Sequence, residues 1–358
     1  MKIVSVWLDQ CTSGMKIAES ISNEYGAVVV HKDAIISDYL IEKLKDQGYD
    51  KIKVYIETDQ VVESRSAERV RQEYKENVSL MKEVVHDITV GKSLDIKVIN
   101  KVSDSMNERR GDIQNVIMCL NQVRDVDEYT YTHCLNVSFL CMLISNWMRY
   151  DNIHVKLALE SGLLHDMGKC KIPLSILNKP GKLDKEEFDE IKKHTIYGYK
   201  ILRGTPEVAI ETAETAISHH EKMDGSGYPY GLEGNAIPTY GKICAVADIY
   251  DAMTAKRVYH EKTTPFEVFS NLEGQLFGEL DTHILTVFLR NISGYYIGDK
   301  VVLSNGEPGT IAYINSRRIS RPIIKTKNGA VDLFDETNSD ITIISMIGSQ
   351  EVSSRRVK

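Results

Sequence analysis

The stretch CLNVSFLCMLISNWM, from Cys134 to Met148, constrains this fold more than any other part of the sequence. It is fifteen residues long, with two asparagines and two serines among its apolar residues. A bilayer span needs about 20 consecutive apolar residues. The run is shorter and more polar than that, so it predicts a buried helix. The chain of 358 residues is long enough for two or three domains and a sizeable core around such a helix.

Charge and cysteine usage narrow the setting. The net charge of −7 argues against nucleic-acid polymers as partners, because these favour basic surfaces. It leaves room for a small phosphate ligand held by a local cation or metal. The opening MKIVSVWLDQ carries one lysine and a short apolar run cut by Asp9, too short for a signal peptide. Cys11, Cys119, Cys134, Cys141, Cys170 and Cys244 form no CxxC pair and no short disulfide framework. A reducing cytoplasm is the expected compartment, with no membrane span.

Hydrophobic patterning divides the chain into five parts. Residues 1–60 predict a small α+β domain, with strands at IVSVWL, GAVVVH and KIKVYIE. Ser37 caps the helix SDYLIEKLKDQG and Gly48 stops it. Residues 61–111 predict a helical connector, with Val70, Tyr74, Met81, Val85 and Ile88 near one face. A dimerisation helix and an exposed amphipathic helix are both open readings there. Residues 112–290 predict an all-α core with short loops. Within it, Asp184 caps a helix with an acidic first turn, and Lys192 and Lys193 fall near the centre of the helix that carries His194. Residues 291–350 predict a small all-β domain, with hairpin turns at Asn305-Gly306 and Asn328-Gly329. Residues 351–358 are a polar tail.

Six histidines of the helical middle lie in acidic or apolar contexts: His133, His154, His165, His194, His219 and His220. Asp166 follows His165 directly, and Asp248 lies in AVADIYDAMT. Imidazole and carboxylate together suit first-row divalent metals. No cysteine joins the pattern, which disfavours a structural zinc knuckle. Adjacent residues on a helix diverge by about 100°. His165-Asp166 and His219-His220 can therefore each serve one centre only near a helix end, or by facing two metals. Gly168 and Gly225 suggest such ends. Each piece has a plainer reading: one histidine in an apolar helix is usually a hydrogen-bonded core residue, and the context YTYTHCLNV of His133 also suits a buried helix. Glu221 is open to two readings, orienting a ligand histidine or lying solvated at a helix end.

The motifs HCLNV, LLHDMGKCKIP, HHEKMDGSGYP and ADIYDAMT resemble the HD-GYP subgroup of the HD-domain metal-dependent phosphohydrolases over about residues 112–290. The resemblance implies an all-helical core around two divalent transition metals, with iron or manganese favoured and nickel, cobalt or zinc compatible. It implies hydrolysis of cyclic di-GMP to pGpG, and on to GMP, by a hydroxide bridging the metals. By motif, His133, His165, Asp166 and Asp248 surround one metal. Asp166 bridges to a second, held by His194, His219 and His220. Lys169 contacts the scissile phosphate. Gly227, Tyr228 and Pro229 shape the substrate pocket, and Arg257 binds phosphate or guanine. Other cyclic dinucleotides such as 3′,3′-cGAMP, and a nonhydrolytic cyclic di-GMP receptor, are the alternatives. The terminal domains would then meet signalling partners. Tyr129 stands where some family members have a third-metal glutamate, so two metals are expected. TAKRVYH departs from the family pattern at Lys256, Val258 and His260, which bears on affinity and substrate choice.

Overall fold

The structure, a computed structural model, describes residues 2–8, 11, 15–22, 28–56, 60–123, 129–254, 263–274 and 276–347. The chain divides into two compact units. One comprises residues 1–66 and 292–358, the other residues 67–291. Among the described residues no helix is long and apolar enough to cross a membrane.

The first 56 residues hold β1 (Lys2–Trp7), β2 (Lys16–Ile17), β3 (Ile21–Ser22), β4 (Val28–Val30), α1 (Asp38–Asp46) and β5 (Lys51–Ile56). β5 lies between β1 and β2 with antiparallel pairing on both sides, and β3 pairs with β4. The expected helix start and stop are both present. The Ser37 hydroxyl accepts from Leu40 N at 3.2 Å, and Gly48 adopts φ +80°, a conformation that favours glycine. Ile17, Ile36, Leu44, Ile52 and Val54 form the core here.

The helical part of the chain runs through α2 (Gln60–Thr89), whose first turns belong to the other unit, α3 (Ile96–Asn107), α4 (Ile113–Val123), α5 (Tyr129–Trp147), α6 (Asn152–Leu164) and α7 (Leu174–Leu177). It continues with α8 (Lys185–Lys192), α9 (His194–Arg203), α10 (Ile210–Ser218), α11 (Thr239–Thr254), α12 (Pro265–Glu273) and α13 (Thr282–Ile292). The apolar run is α5, and its residues from Thr132 to Ser145 are all buried. Of its two serines, Ser138 is accommodated because its hydroxyl donates to Leu159 O at 2.7 Å. α5 packs on α6 and α11. The α6 contact requires Gly162: a Cβ there would sit 2.9 Å from both Cys141 Sγ and Ser138 Cα. On α2 the buried face includes Val70, Tyr74, Val78, Met81, Val84 and Ile88. Val84 takes the place expected for Val85, which is only half-buried.

One local expectation changes. His194 does not sit within a continuous helix, because α8 ends at Lys192 and α9 starts at His194. Side chains take up carbonyls at the junction: Thr195 Oγ1 donates to Lys192 O at 2.9 Å, and His194 Nδ1 lies 2.7 Å from Ile191 O. The start of α8 is as expected. Asp184 and Glu187 form a capping box, each side chain accepting from the other's backbone N–H at 2.9 Å.

The C-terminal segment holds β6 (Lys300–Leu303), β7 (Pro308–Tyr313), β8 (Ile323–Thr326), β9 (Gly329–Asp332) and β10 (Ile343–Ile347). They form one antiparallel sheet in the order β10-β6-β7-β8-β9. Gly306, at φ +83°, lies in the β6–β7 turn, whereas the β8–β9 turn is made by Lys327 and Asn328, one residue earlier than expected, and Gly329, at φ +132°, opens β9.

Candidate metal centre

Helix ends bring the donors together. His165 follows the last residue of α6, His219 follows the last residue of α10, and His194 sits at the α8–α9 junction. The last carbonyls of a helix have no intrahelical partner. Each ring takes one from three residues earlier: His165 Nδ1 lies 2.7 Å from Gly162 O, His194 Nδ1 2.7 Å from Ile191 O, and His219 Nδ1 3.1 Å from Ala216 O. A carbonyl only accepts, so Nδ1 carries the proton in all three rings. Each Nε2 then carries a free lone pair, and the three converge on Asp166.

Asp166 faces two ways. Its Oδ2 lies 3.3 Å from His165 Nε2 and 3.6 Å from His133 Nε2. Its Oδ1 lies 3.3 Å from His194 Nε2 and 3.8 Å from His219 Nε2. Asp248, on α11, spans the same gap: Oδ1 is 3.0 Å from His133 Nε2, and Oδ2 is 3.9 Å from His220 Nδ1. Among the described residues, donor atoms of Asp166, His194, His219 and His220 lie within 4.8 Å of one another. The same holds for His133, His165 and Asp166, and for His165, His219 and Asp248.

The electrostatics suit a cation. Burial and the neighbouring histidines push His219 well below its usual pKa, and burial lowers His220 to about 3. Both are therefore neutral. Burial opposes ionisation of Asp166, yet its charged surroundings, Lys169 foremost, outweigh it and hold the carboxyl well below its usual range. His194 Nε2 and His219 Nε2 stand 3.4 Å apart, two lone pairs directed at one another. The buried atoms His165 Nε2 and Asp166 Oδ1 make no hydrogen bond. Unsatisfied buried polar atoms are costly. A divalent ion accepting these lone pairs removes the cost, so the donor set fits a metal.

The surroundings add four facts. Lys169 Nζ lies 2.5 Å from Asp166 Oδ2. Gly168 permits this turn to lie against α9, since a Cβ there would fall 1.9 Å from His194 O and 2.4 Å from Gly198 N. The Gly227-Tyr228-Pro229 loop, with a cis Tyr228-Pro229 bond, folds over His220, whose ring centroid is 4.7 Å from that of Tyr228. Gly227 answers to the protein itself, because a Cβ would come within 2.5 Å of His220 O, Glu221 Cα and Lys222 N.

Glu221 corrects both sequence readings. It is buried, and it neither touches a ligand histidine nor lies in solvent: its carboxylate accepts from Tyr230 N at 2.8 Å and Leu232 N at 2.9 Å, mooring the loop. His154 stays apart from the centre, exposed at the opposite end of α6 and 2.7 Å from Asp151. Arg257, Lys256, Val258 and His260 lie outside the described residues, and so does the Tyr129 side chain. Asp251 escaped the sequence reading. Its Oδ2 lies 2.8 Å from His133 Nδ1. The available signal was its position three residues after Asp248, on the same face of α11.

Residues 132–277 match the family described as HD domain. This segment is an HD domain of the HD-GYP kind. The chain is 30% identical over 239 residues to a cyclic di-GMP phosphodiesterase of Pseudomonas aeruginosa, covering 67% of this chain and 58% of that protein. It is 38% identical over 181 residues to a cyclic di-GMP phosphodiesterase of Thermotoga maritima, covering 50% of this chain and 48% of the relative. It is also 36% identical over 172 residues to a 3′3′-cGAMP-specific phosphodiesterase of Vibrio cholerae, covering 48% of this chain and 33% of the relative. The chain thus spans between a third and three-fifths of these relatives' lengths. The HD domain coincides with the helices that carry every donor named above.

Proposed function

We propose that this protein is a metal-dependent phosphodiesterase of cyclic dinucleotides, with cyclic di-GMP as its substrate and pGpG or GMP as the product. The observation that carries the reading is Asp166, whose two oxygens face different pairs of buried imidazoles. His133, His165, Asp166 and Asp248 would hold one ion, and Asp166, His194, His219 and His220 a second. Iron and manganese both suit this sulfur-free set. When bound, a pair of divalent ions supplies Lewis acidity at a phosphoryl oxygen and lowers the pKa of water.

The chain's own groups have distinct tasks. Lys169 is kept protonated because Asp166 and Asp248 outweigh its burial, and it offers a fixed positive charge to a phosphoryl oxygen. Tyr228 extends the aromatic surface outward from His220, and Phe188 continues it, with ring centroids 6.3 Å apart. Phe188 is 47% exposed. Bases stack on such surfaces at about 1–3 kcal/mol each. The names of the Pseudomonas and Thermotoga relatives support cyclic di-GMP, and the name of the Vibrio relative favours 3′,3′-cGAMP as the second reading.

Product analysis tests the proposal. Anaerobically purified protein, loaded with iron(II) or manganese(II), is incubated with each cyclic dinucleotide, and the products are separated by chromatography. Wild type is expected to release pGpG or GMP from cyclic di-GMP. Asp166→Ala is expected to lose both metal and turnover. Near-normal turnover in that variant would sink the assignment, and cleavage of 3′,3′-cGAMP alone would move it to the second substrate.

A further inference from the structure

A buried chain of hydrogen bonds leads away from the metal centre to a helix outside residues 132–277. It starts at His133, whose Nδ1 lies 2.8 Å from Asp251 Oδ2. An ionised carboxylate only accepts, so Nδ1 donates and Nε2 is left facing Asp248 and Asp166. The other oxygen, Asp251 Oδ1, accepts from Asn136 Nδ2 at 3.0 Å. The Asn136 carbonyl oxygen accepts from the Tyr74 hydroxyl at 2.7 Å. Tyr74 also lies 3.1 Å from Thr132 O. Tyr74, Asn136, Asp251 and His133 are all buried. The single Tyr74 proton goes to Asn136 Oδ1, the shorter of its two acceptor contacts, and only one orientation of the Asn136 amide presents its N–H to Asp251. The ring of His133 is thereby held against rotation.

A second contact reaches the same helix from the segment that follows Asp166. Lys171 belongs to the short 3-10 helix that follows Asp166 and contains Lys169. Its Nζ donates to Ile88 O, near the C-terminal end of α2, at 3.0 Å. A cation there also meets the negative end of the helix dipole. The two contacts use separate residues and separate turns of α2.

We propose that Asp251 and Tyr74 are positioning residues of the metal centre, and that α2 is thereby a working part of it. This rests on the reading of His133 as a metal donor. A carboxylate behind a ligand histidine fixes both its tautomer and its ring orientation, and losing such a partner typically costs about 10–100-fold in metal affinity. Asp251 bonds the ring directly, so its removal has the larger effect. Tyr74 acts through Asn136, so its effect is smaller.

The test measures manganese(II) affinity by competition with a chelating indicator in wild type, Asp251→Ala, Asp251→Asn and Tyr74→Phe. It also records thermal unfolding of the metal-free proteins, and kcat and KM for cyclic di-GMP. Tyr74→Phe preserves the ring and its packing, which keeps the test decisive if Asp251→Ala folds poorly. Affinity at one of two manganese sites is expected to fall about 10–100-fold in Asp251→Ala and several-fold in Tyr74→Phe. Asp251→Asn, which retains an acceptor for Nδ1, is expected between wild type and Asp251→Ala. The metal-free unfolding temperature of Tyr74→Phe should stay near wild type, and kcat should fall with KM unchanged. Wild-type affinity in both Tyr74→Phe and Asp251→Ala overturns the proposal. So does a loss of affinity that merely follows a fall in metal-free unfolding temperature. Wild type that binds no manganese(II) overturns the metal reading beneath it. Metal affinities that shift as expected, in a protein that leaves cyclic di-GMP intact, uphold the positioning role and reject only the substrate.

Discussion

At the scale of single residues, the donors divide by what holds them. His165, His194 and His219 are each fixed by a carbonyl three residues back, so their local sequence suffices to orient them. His133 is different, because its partner Asp251 is 118 positions away. Lys169 is held by charge rather than by packing alone, and Lys169→Ala is expected to keep its metals while kcat falls about 10²–10³-fold. Metal analysis beside steady-state kinetics checks this, and full activity would remove the lysine from the reaction. Glu221 has a purely mechanical task. Replacing it with alanine leaves the N–H groups of Tyr230 and Leu232 without their acceptor, at about 1–3 kcal/mol for each that stays dry. Hydrogen exchange at those two amides should quicken in Glu221→Ala, with metal content unchanged. Unaltered exchange would show that the loop is moored elsewhere.

Among the elements, glycine sets how closely they approach. Gly168 lets the turn after Asp166 lie on α9, and Gly162 lets α6 lie on α5. Sequence reading took Gly168 as a helix stop, but α6 already ends at Leu164 and Gly168 lies in the 3-10 helix that follows; its demand comes from the backbone of a helix 26 positions later, where a Cβ would fall 1.9 Å from His194 O. Gly168→Ala is expected to lower the unfolding temperature by roughly 5–10 °C, since overpacking costs about 1–3 kcal/mol or more. Gly111→Ala serves as the control, because a Cβ there meets nothing within 4 Å. Equal unfolding temperatures for the two variants would refute the contact. The helix starts at Ser37 and Asp184 and the hairpin at Gly306 were legible because caps and turns are local chemistry. The break between α8 and α9 was not. Lys192 and Lys193 are good helix formers, and the side-chain bonds that occupy the carbonyls at that junction leave no mark in propensity.

For the whole molecule, residues 67–291 form a compact unit that contains every described donor together with α2 from residue 67 onward. A fragment of residues 67–291 is therefore expected to bind manganese(II) with the stoichiometry of the full chain. A fragment that starts at residue 112 lacks Tyr74 and Ile88 and is expected to bind it less tightly, as equilibrium dialysis of the two would show. The sequence by itself determined the helical core, the flanking strands, and the identity and order of the candidate donors. These depend on residue type and on periodicities of a few positions. Only the tertiary structure decided that the two oxygens of Asp166 face different imidazoles, that Glu221 holds the loop, and that Asp251 and Tyr74 stand behind His133. Those relations join residues far apart in the chain. They depend on where helix ends meet and how rings are turned, and spacing along a sequence encodes neither.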